Sequence, residues 1–282
     1  MEKSSASTRL AGAVHDLASE VVSALRGGGH SPAVCGEAGQ FAGDDLGLAA
    51  VRVLGADLLL PSTLFRRRPQ QADVTALHKA VRAFPPDATS SVVTVWSHWA
   101  MTQALHRLEE TLAPGTEIGP GTETAPGTET GPGPGGRPAG RTDEMERERR
   151  GMAGEQPVAG IGPAGAGPAE PDVTWLTEAP WQRLTHQLAV LAALAVPGTD
   201  SGVARVAHGR PVDLARGFVR AVRRRDWLQA AAAGRWLALV DGVPDTLGLE
   251  SGLEFVQHMG GSDARVALHV GAARLMRAGA PV

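Results

Sequence analysis

The chain has 282 residues, 43% of them hydrophobic and 20% charged, with a net charge of −3. That is enough apolar material for one large or two small domains, and the charge argues against wholesale nucleic-acid binding. A lone cysteine excludes an intramolecular disulfide, and nothing indicates an oxidising compartment.

Residue usage is skewed. Tyr and Asn are absent, Lys occurs only at Lys3 and Lys79, and Ile only at Ile118 and Ile161, while Gly numbers 36 and Pro 20. The missing residues are those with A/T-rich codons, which points to a high-GC, actinobacterium-like bacterial genome. Arg in place of Lys therefore carries little functional meaning. The apolar run before His15 is too short for a signal peptide. LAVLAALAV (188–196) falls well short of a membrane span. The expectation is a cytoplasmic protein with no membrane contact.

Leu10, Val14, Leu17, Val21 and Leu25 mark one apolar stripe, predicting a helix from Ser7 or Thr8 to just before Gly27. A second helix is predicted from Asp44 to Leu60, stopped by Pro61, and a third from Gln70 to Phe84, stopped by Pro85 and Pro86. A fourth, capped by Asp87, runs to about Leu112. Its start, SSVVTVWS, is β-branched enough for a strand, but Met101, Leu105, Leu108 and Leu112 continue at helical spacing. With Val92, Trp96 and Trp99 on the other side, this helix is apolar on two faces and therefore central.

Residues 113–171 break the pattern. Their hexapeptide repeat, PGTEIG, PGTETA and PGTETG, puts Glu117, Glu123 and Glu129 where a β-helix needs aliphatics, and its glycines keep no collagen step. It reads as a disordered, mildly acidic tether. GPGPGG (131–136) matches G-x-G-x-x-G only formally, because no strand precedes it. Order returns at Trp175, with helices predicted near 178–195, 211–225, 226–240, 249–259 and 263–278. Asp213, Asp226 and Asp263 suit first turns or caps, and Gly260 and Gly279 suit exits. AAGRWLAL (232–239) and GAARLMRA (271–278) are alike at an offset of 39 residues, within the range of helical-hairpin repeats. The fold class is all-α: helical segments 1–112 and 172–282, either separate lobes or halves of one composite bundle.

Four groups of residues offer chemistry. Cys35, in GGGHSPAVCGEAG with His30 and Glu37 near it in sequence, has the makings of a thiolate nucleophile. Glu254 and His258 share a helix face, with His269 on the next helix, as a metal or acid–base cluster would require. His98 and His106 lie too far apart around their helix to chelate alone. In LARGFVRAVRRRDW (214–227), Arg216, Arg220 and Arg223 lie opposite Leu214, Phe218 and Val222, and Arg224 and Arg225 widen a basic face suited to phosphates or an acidic partner. Arg66, Arg67 and Arg68 form a second, shorter basic patch in a loop. No helix-turn-helix pair or aromatic interleaving accompanies either patch, which argues against nucleic acid.

No cofactor motif is present: neither lysine follows a glycine as a phosphate loop demands, and HExxH and GxSxG are missing. The expected function is therefore a non-enzymatic interaction, regulatory or scaffold protein acting on another protein or on itself. A small helical enzyme built on Cys35 and His30, or on Glu254, His258 and His269, is the alternative. Phosphate or nucleic-acid binding by the Arg216–Arg225 helix is a third reading. If residues 113–136 are only tether, their deletion leaves the cooperative thermal transition in place, as circular dichroism melting will show.

Overall fold

The computed structural model describes residues 2–28, 34–35, 43–112 and 167–279, and among these every regular element is helical. His30, Glu37, the hexapeptide repeat and the GPGPGG tract lie outside the described residues.

Helix α1 (Glu2–Arg26) begins several residues before the predicted start and buries Val14, Leu17, Val21 and Leu25, the predicted stripe. Helix α2 (Asp45–Leu54) is capped by Asp44, whose carboxylate accepts from the Gly47 N–H at 2.7 Å. The predicted single helix to Leu60 is broken. Gly55 takes a positive φ of 65°, a 3-10 turn covers Gly55–Leu59, and α3 (Leu60–Leu64) follows. Pro61 does not stop this stretch. It sits in the first turn of α3, where a missing N–H forfeits no hydrogen bond. Asp45–Leu64 is apolar and long enough to cross a membrane by composition, but it is spent on these three pieces, with Val51, Leu54, Leu58, Leu59 and Leu60 buried.

Helix α4 (Gln71–Ala83) matches the prediction closely, and α5 (Val92–Leu112) is a helix from its β-branched start onward. The cap of α5 is Ser91, whose hydroxyl accepts from the Thr94 N–H at 3.2 Å. Asp87 instead organises the preceding turn, accepting from Thr89 and Ser90.

In the C-terminal part, α6 (Thr174–Thr177) and α7 (Trp181–Val190) lead into a 3-10 turn, Ala192–Leu194. Helix α8 (Gly202–His208), capped by Ser201, was not predicted, because its two turns are too short to show periodicity. Helices α9 (Pro211–Arg223), α10 (Trp227–Leu237), α11 (Leu249–Gly260) and α12 (Ala264–Arg277) follow close to the predicted bounds. Asp226 and Asp263 cap α10 and α12 through the N–H groups of Gln229 and Arg265.

The described parts of the two helical segments form one compact unit. Helix α1 lies against α12 and α2, so the first and last helices are neighbours. Helix α10 is wrapped by α7, α9, α11 and α12, and all of its residues from Ala230 to Leu237 are buried. Helix α5 serves two cores. Trp96 and Trp99 pack with the residues of α7, α9 and α10, while Met101 and Leu105 pack with those of α1, α2, α4 and α12. Its two indoles also hold the returning chain: Trp99 Nε1–H donates to the Pro168 carbonyl at 3.0 Å, and Trp96 Nε1–H to that of Asp172 at 3.1 Å. Composition placed residues 167–171 in the tether; here they run along α5.

One ion pair is buried at the centre. Arg235 of α10 is fully buried and reaches Asp57, 178 residues earlier in the chain, with Nη1 2.7 Å from Oδ1. Arg235 also donates through Nε to the Ala195 carbonyl at 3.0 Å. Removing one partner strands a charge in the core, so Asp57→Ala or Arg235→Ala is expected to cost about 3–5 kcal/mol. The apolar pair Asp57→Leu/Arg235→Met is expected to cost much less than the two single changes together, as urea unfolding of the full set will show.

Candidate functional site

Helix α9 is the most sharply amphipathic surface element. Leu214, Phe218 and Ala221 are buried, while Arg216, Arg220, Arg223 and Arg224 are exposed. Two features set it close on α7. A Cβ at Gly217 would collide with the Thr185 side chain, so only glycine allows this approach. Arg210, just before Pro211, clamps the Asp213 carboxylate at 2.7 and 2.9 Å and donates to the Ala179 carbonyl at 2.6 Å. The second contact ties the start of α9 to the turn that leads into α7.

This docking brings Trp181, the first residue of α7, beside Arg220. The guanidinium carbon lies 5.6 Å from the indole centroid, a cation–π distance. Across from α9, Pro244, Thr246 and Leu247 form the other wall of an open groove of about 780 Å³, which Arg216, Arg220, Arg223 and Arg224 all line. Val212, Val219 and Leu247 supply apolar surface within it. Arg216 has a carboxylate neighbour, Asp213, at 3.3 Å. Among the described residues no carboxylate lies within ion-pair distance of Arg220, Arg223 or Arg224. Arg225 is not part of the groove: its φ of 58° turns the chain toward α10. The four arginines singled out from sequence are thus brought together. What helical periodicity did not reveal is the aromatic partner, because Trp181 is 39 residues from Arg220.

The remaining candidates are placed differently. Cys35 is fully buried, and its N–H donates to Asp73 Oδ1 at 2.8 Å while the Val34 N–H donates to Oδ2 at 3.1 Å. Burial pushes the thiol well above its ordinary value, and the Asp73 charge and hydrogen bond push the same way. A nucleophilic cysteine needs the opposite environment. Asp73 is itself pushed up by burial, against the pull of the Cys35 and Val34 hydrogen bonds. Together they form a clasp between a loop and the first turn of α4.

Glu254 and His258 lie exposed on α11, whereas His269 of α12 faces the buried ion pair, with Nδ1 3.3 Å from Arg235 Nη1. No group of three or more His, Cys, Asp or Glu placed to hold a metal occurs among the described residues. His98 is pushed down by burial and by nearby Arg52, and His106 Nδ1 lies 3.6 Å from Glu110.

The central cluster of Asp57, Arg235 and His269 was not foreseen as a unit. Its signal was a single charge within each of two apolar runs, ADLLL and AAAAGRWLAL. A comparison with protein families, curated proteins and solved structures finds no match for this chain.

His269 yields a pH prediction. Burial is the main force lowering it from the ordinary 6.5 to about 4; the Asp57 charge opposes this, and Arg235 and Arg265 reinforce it. Between those values the unfolded chain binds a proton that the folded chain does not. Stability therefore falls as pH drops from about 6.5 toward 4, by on the order of 3 kcal/mol, and is fully present above that window. His269→Gln is expected to flatten this part of the stability profile, measured as the urea midpoint against pH.

Proposed function

We propose that this chain is a non-enzymatic interaction protein that holds an acidic segment of a protein partner in the α9 groove. The observation that carries this reading is a set of guanidinium groups lining one groove, three of them without a carboxylate among the described residues, with Arg220 stacked on Trp181. Helix α9 advances about 10 Å between Arg216 and Arg223, the length of roughly three residues of extended peptide. Carboxylates on such a segment meet planar donors that bind them in pairs. The apolar patches at Val212, Val219 and Leu247 favour a segment that carries a leucine or similar side chain among its acids. That mixture fits a peptide better than a sugar–phosphate backbone.

Fluorescence anisotropy with a labelled peptide of glutamates and leucines tests the proposal. Binding is expected at low salt, with marked weakening at high salt as exposed charges are screened. Arg220→Glu/Arg223→Glu is expected to abolish it while costing no more than about 2 kcal/mol of stability, since both side chains are exposed and only the Trp181 contact and the favourable charge near the helix C-terminus are lost. Equal binding by the charge-reversed variant sinks the proposal. Tighter binding of single-stranded DNA of equal charge would move the assignment to nucleic acid.

A further inference from the structure

A second concave site lies away from the α9 groove, between the Gly55–Leu64 stretch, α5 and the turn Ala192–Leu194. It is a half-open space of about 420 Å³. Its walls are apolar, built by Leu59, Leu60, Ala100, Ala104, Leu108 and Leu194. The charged groups of the lining are all cations, Arg66, Arg67, Arg68 and Arg107, beside the neutral Ser62, Thr63, Gln103 and Thr199. The first three are exposed and so border the solvent side, and among the described residues no carboxylate lies within ion-pair distance of them. Arg107 of α5 donates from Nη1 to Thr199 Oγ1 at 2.8 Å, which holds it across the space from α5 to the segment after the 192–194 turn.

The backbone adds an independent observation. Arg66 has a φ of 49°, and the N–H groups of Arg66 and Arg67 return to the carbonyls of Thr63 and Ser62 at 3.3 and 2.8 Å. This is the left-handed exit of a helix, where glycine is the usual occupant and a β-carbon is disfavoured. Glycine is abundant in this chain, with 36 copies, yet an arginine stands at this turn beside the cavity. Non-glycine residues held in such a conformation cluster at ligand-binding sites.

We infer that this cavity binds a single-chain fatty carboxylate of about ten carbons, its alkyl chain against Leu59, Leu60, Ala104 and Leu108 and its carboxylate among Arg66, Arg67 and Arg68. The volume sets the length. A methylene occupies roughly the space of a liquid water, about 30 Å³, so about fourteen carbons are the upper bound for 420 Å³ and a chain of about ten fills roughly 70% of it without overpacking. The charge sets the head group, because an alcohol or a quaternary ammonium leaves these guanidinium groups unanswered. The lining residues belong to different elements from those of the α9 groove, and the two sites stand or fall separately.

Calorimetric titration of the full chain with the sodium salts of hexanoate, octanoate, decanoate and dodecanoate, each below its micelle concentration, tests this. Decanoate is expected to bind one to one, with affinity rising about fourfold per methylene up to about ten carbons and then levelling. Arg67→Ala/Arg68→Ala, alone and with Arg66→Gly, is expected to weaken decanoate at least tenfold with no fall in melting temperature. Ala104→Phe fills the cavity and is expected to abolish binding. Arg220→Glu/Arg223→Glu is expected to bind decanoate as the wild type does. The inference is overturned if decanoate gives no saturable heat at either of two well-separated temperatures, if decanol binds as well as decanoate, or if the arginine variants bind unchanged. Affinity that keeps climbing beyond dodecanoate, or binding that survives Ala104→Phe, equally overturns it, since both mean surface adsorption.

Discussion

The ion pair between Asp57 and Arg235 is the constraint on which the arrangement of the helices depends. Asp57 sits in the 3-10 turn after α2, and Arg235 sits in the helix that four others surround. Two charges taken from water repay their desolvation only when their geometry is good and their other hydrogen-bonding groups are met. Here Nη1 meets the carboxylate and Nε meets the Ala195 carbonyl, while Nη2 is buried with no partner among the described residues, so three distant stretches of chain converge on a guanidinium that is only partly satisfied. Apolar packing between the halves tolerates small slips of register; a buried charge pair does not. His269 at its edge stays neutral chiefly because burial disfavours its charged form; Arg235 and Arg265 add to this, against the pull of Asp57 and Asp263.

From that centre outward, helix α10 is the pivot and α9 the outer layer. Alanine and glycine dominate α10, which lets α7, α9, α11 and α12 approach it closely. The buried face of α9 is fully used in that contact, and its basic face is left to solvent. The same geometry places Trp181 under Arg220. A partner segment would thus meet a wall that the core holds rigidly, which lowers the ordering cost of binding.

Both arginine triplets stand at comparable turns. Arg66 after α3 and Arg225 after α9 share the left-handed conformation, and at each site the two N–H groups fold back on the last turn of the helix. Each non-glycine residue in that region costs on the order of 1 kcal/mol. Arginine repays part of this near a helix C-terminus, where its charge opposes the helix dipole. The surrounding arginines, Arg67 and Arg68 in one case and Arg223 and Arg224 in the other, line the two concave sites.

Much of this architecture was legible in the residues. The stripe Leu10 to Leu25, the two-faced α5, the caps Asp226 and Asp263 and the basic face of α9 all follow from spacing and composition. These depend on interactions across a few residues, and an isolated sequence displays them fully. The errors were also local in cause. Pro61 looks like a helix stop in the sequence yet suits a first turn, and Asp87 looks like the α5 cap although Ser91 lies closer to the helix.

What the sequence determined alone is the all-α class, most helix positions and the arginines that face outward. Only the tertiary structure decided that segments separated by more than fifty residues share one core, that Asp57 meets Arg235, that Trp181 meets Arg220 and that Cys35 is sealed beneath Asp73. The physical reason is range. Helical periodicity and capping are set within one or two turns, whereas these pairings join residues 38 to 178 positions apart. They arise only when amphipathic faces bury one another, and no local spacing encodes which faces will meet.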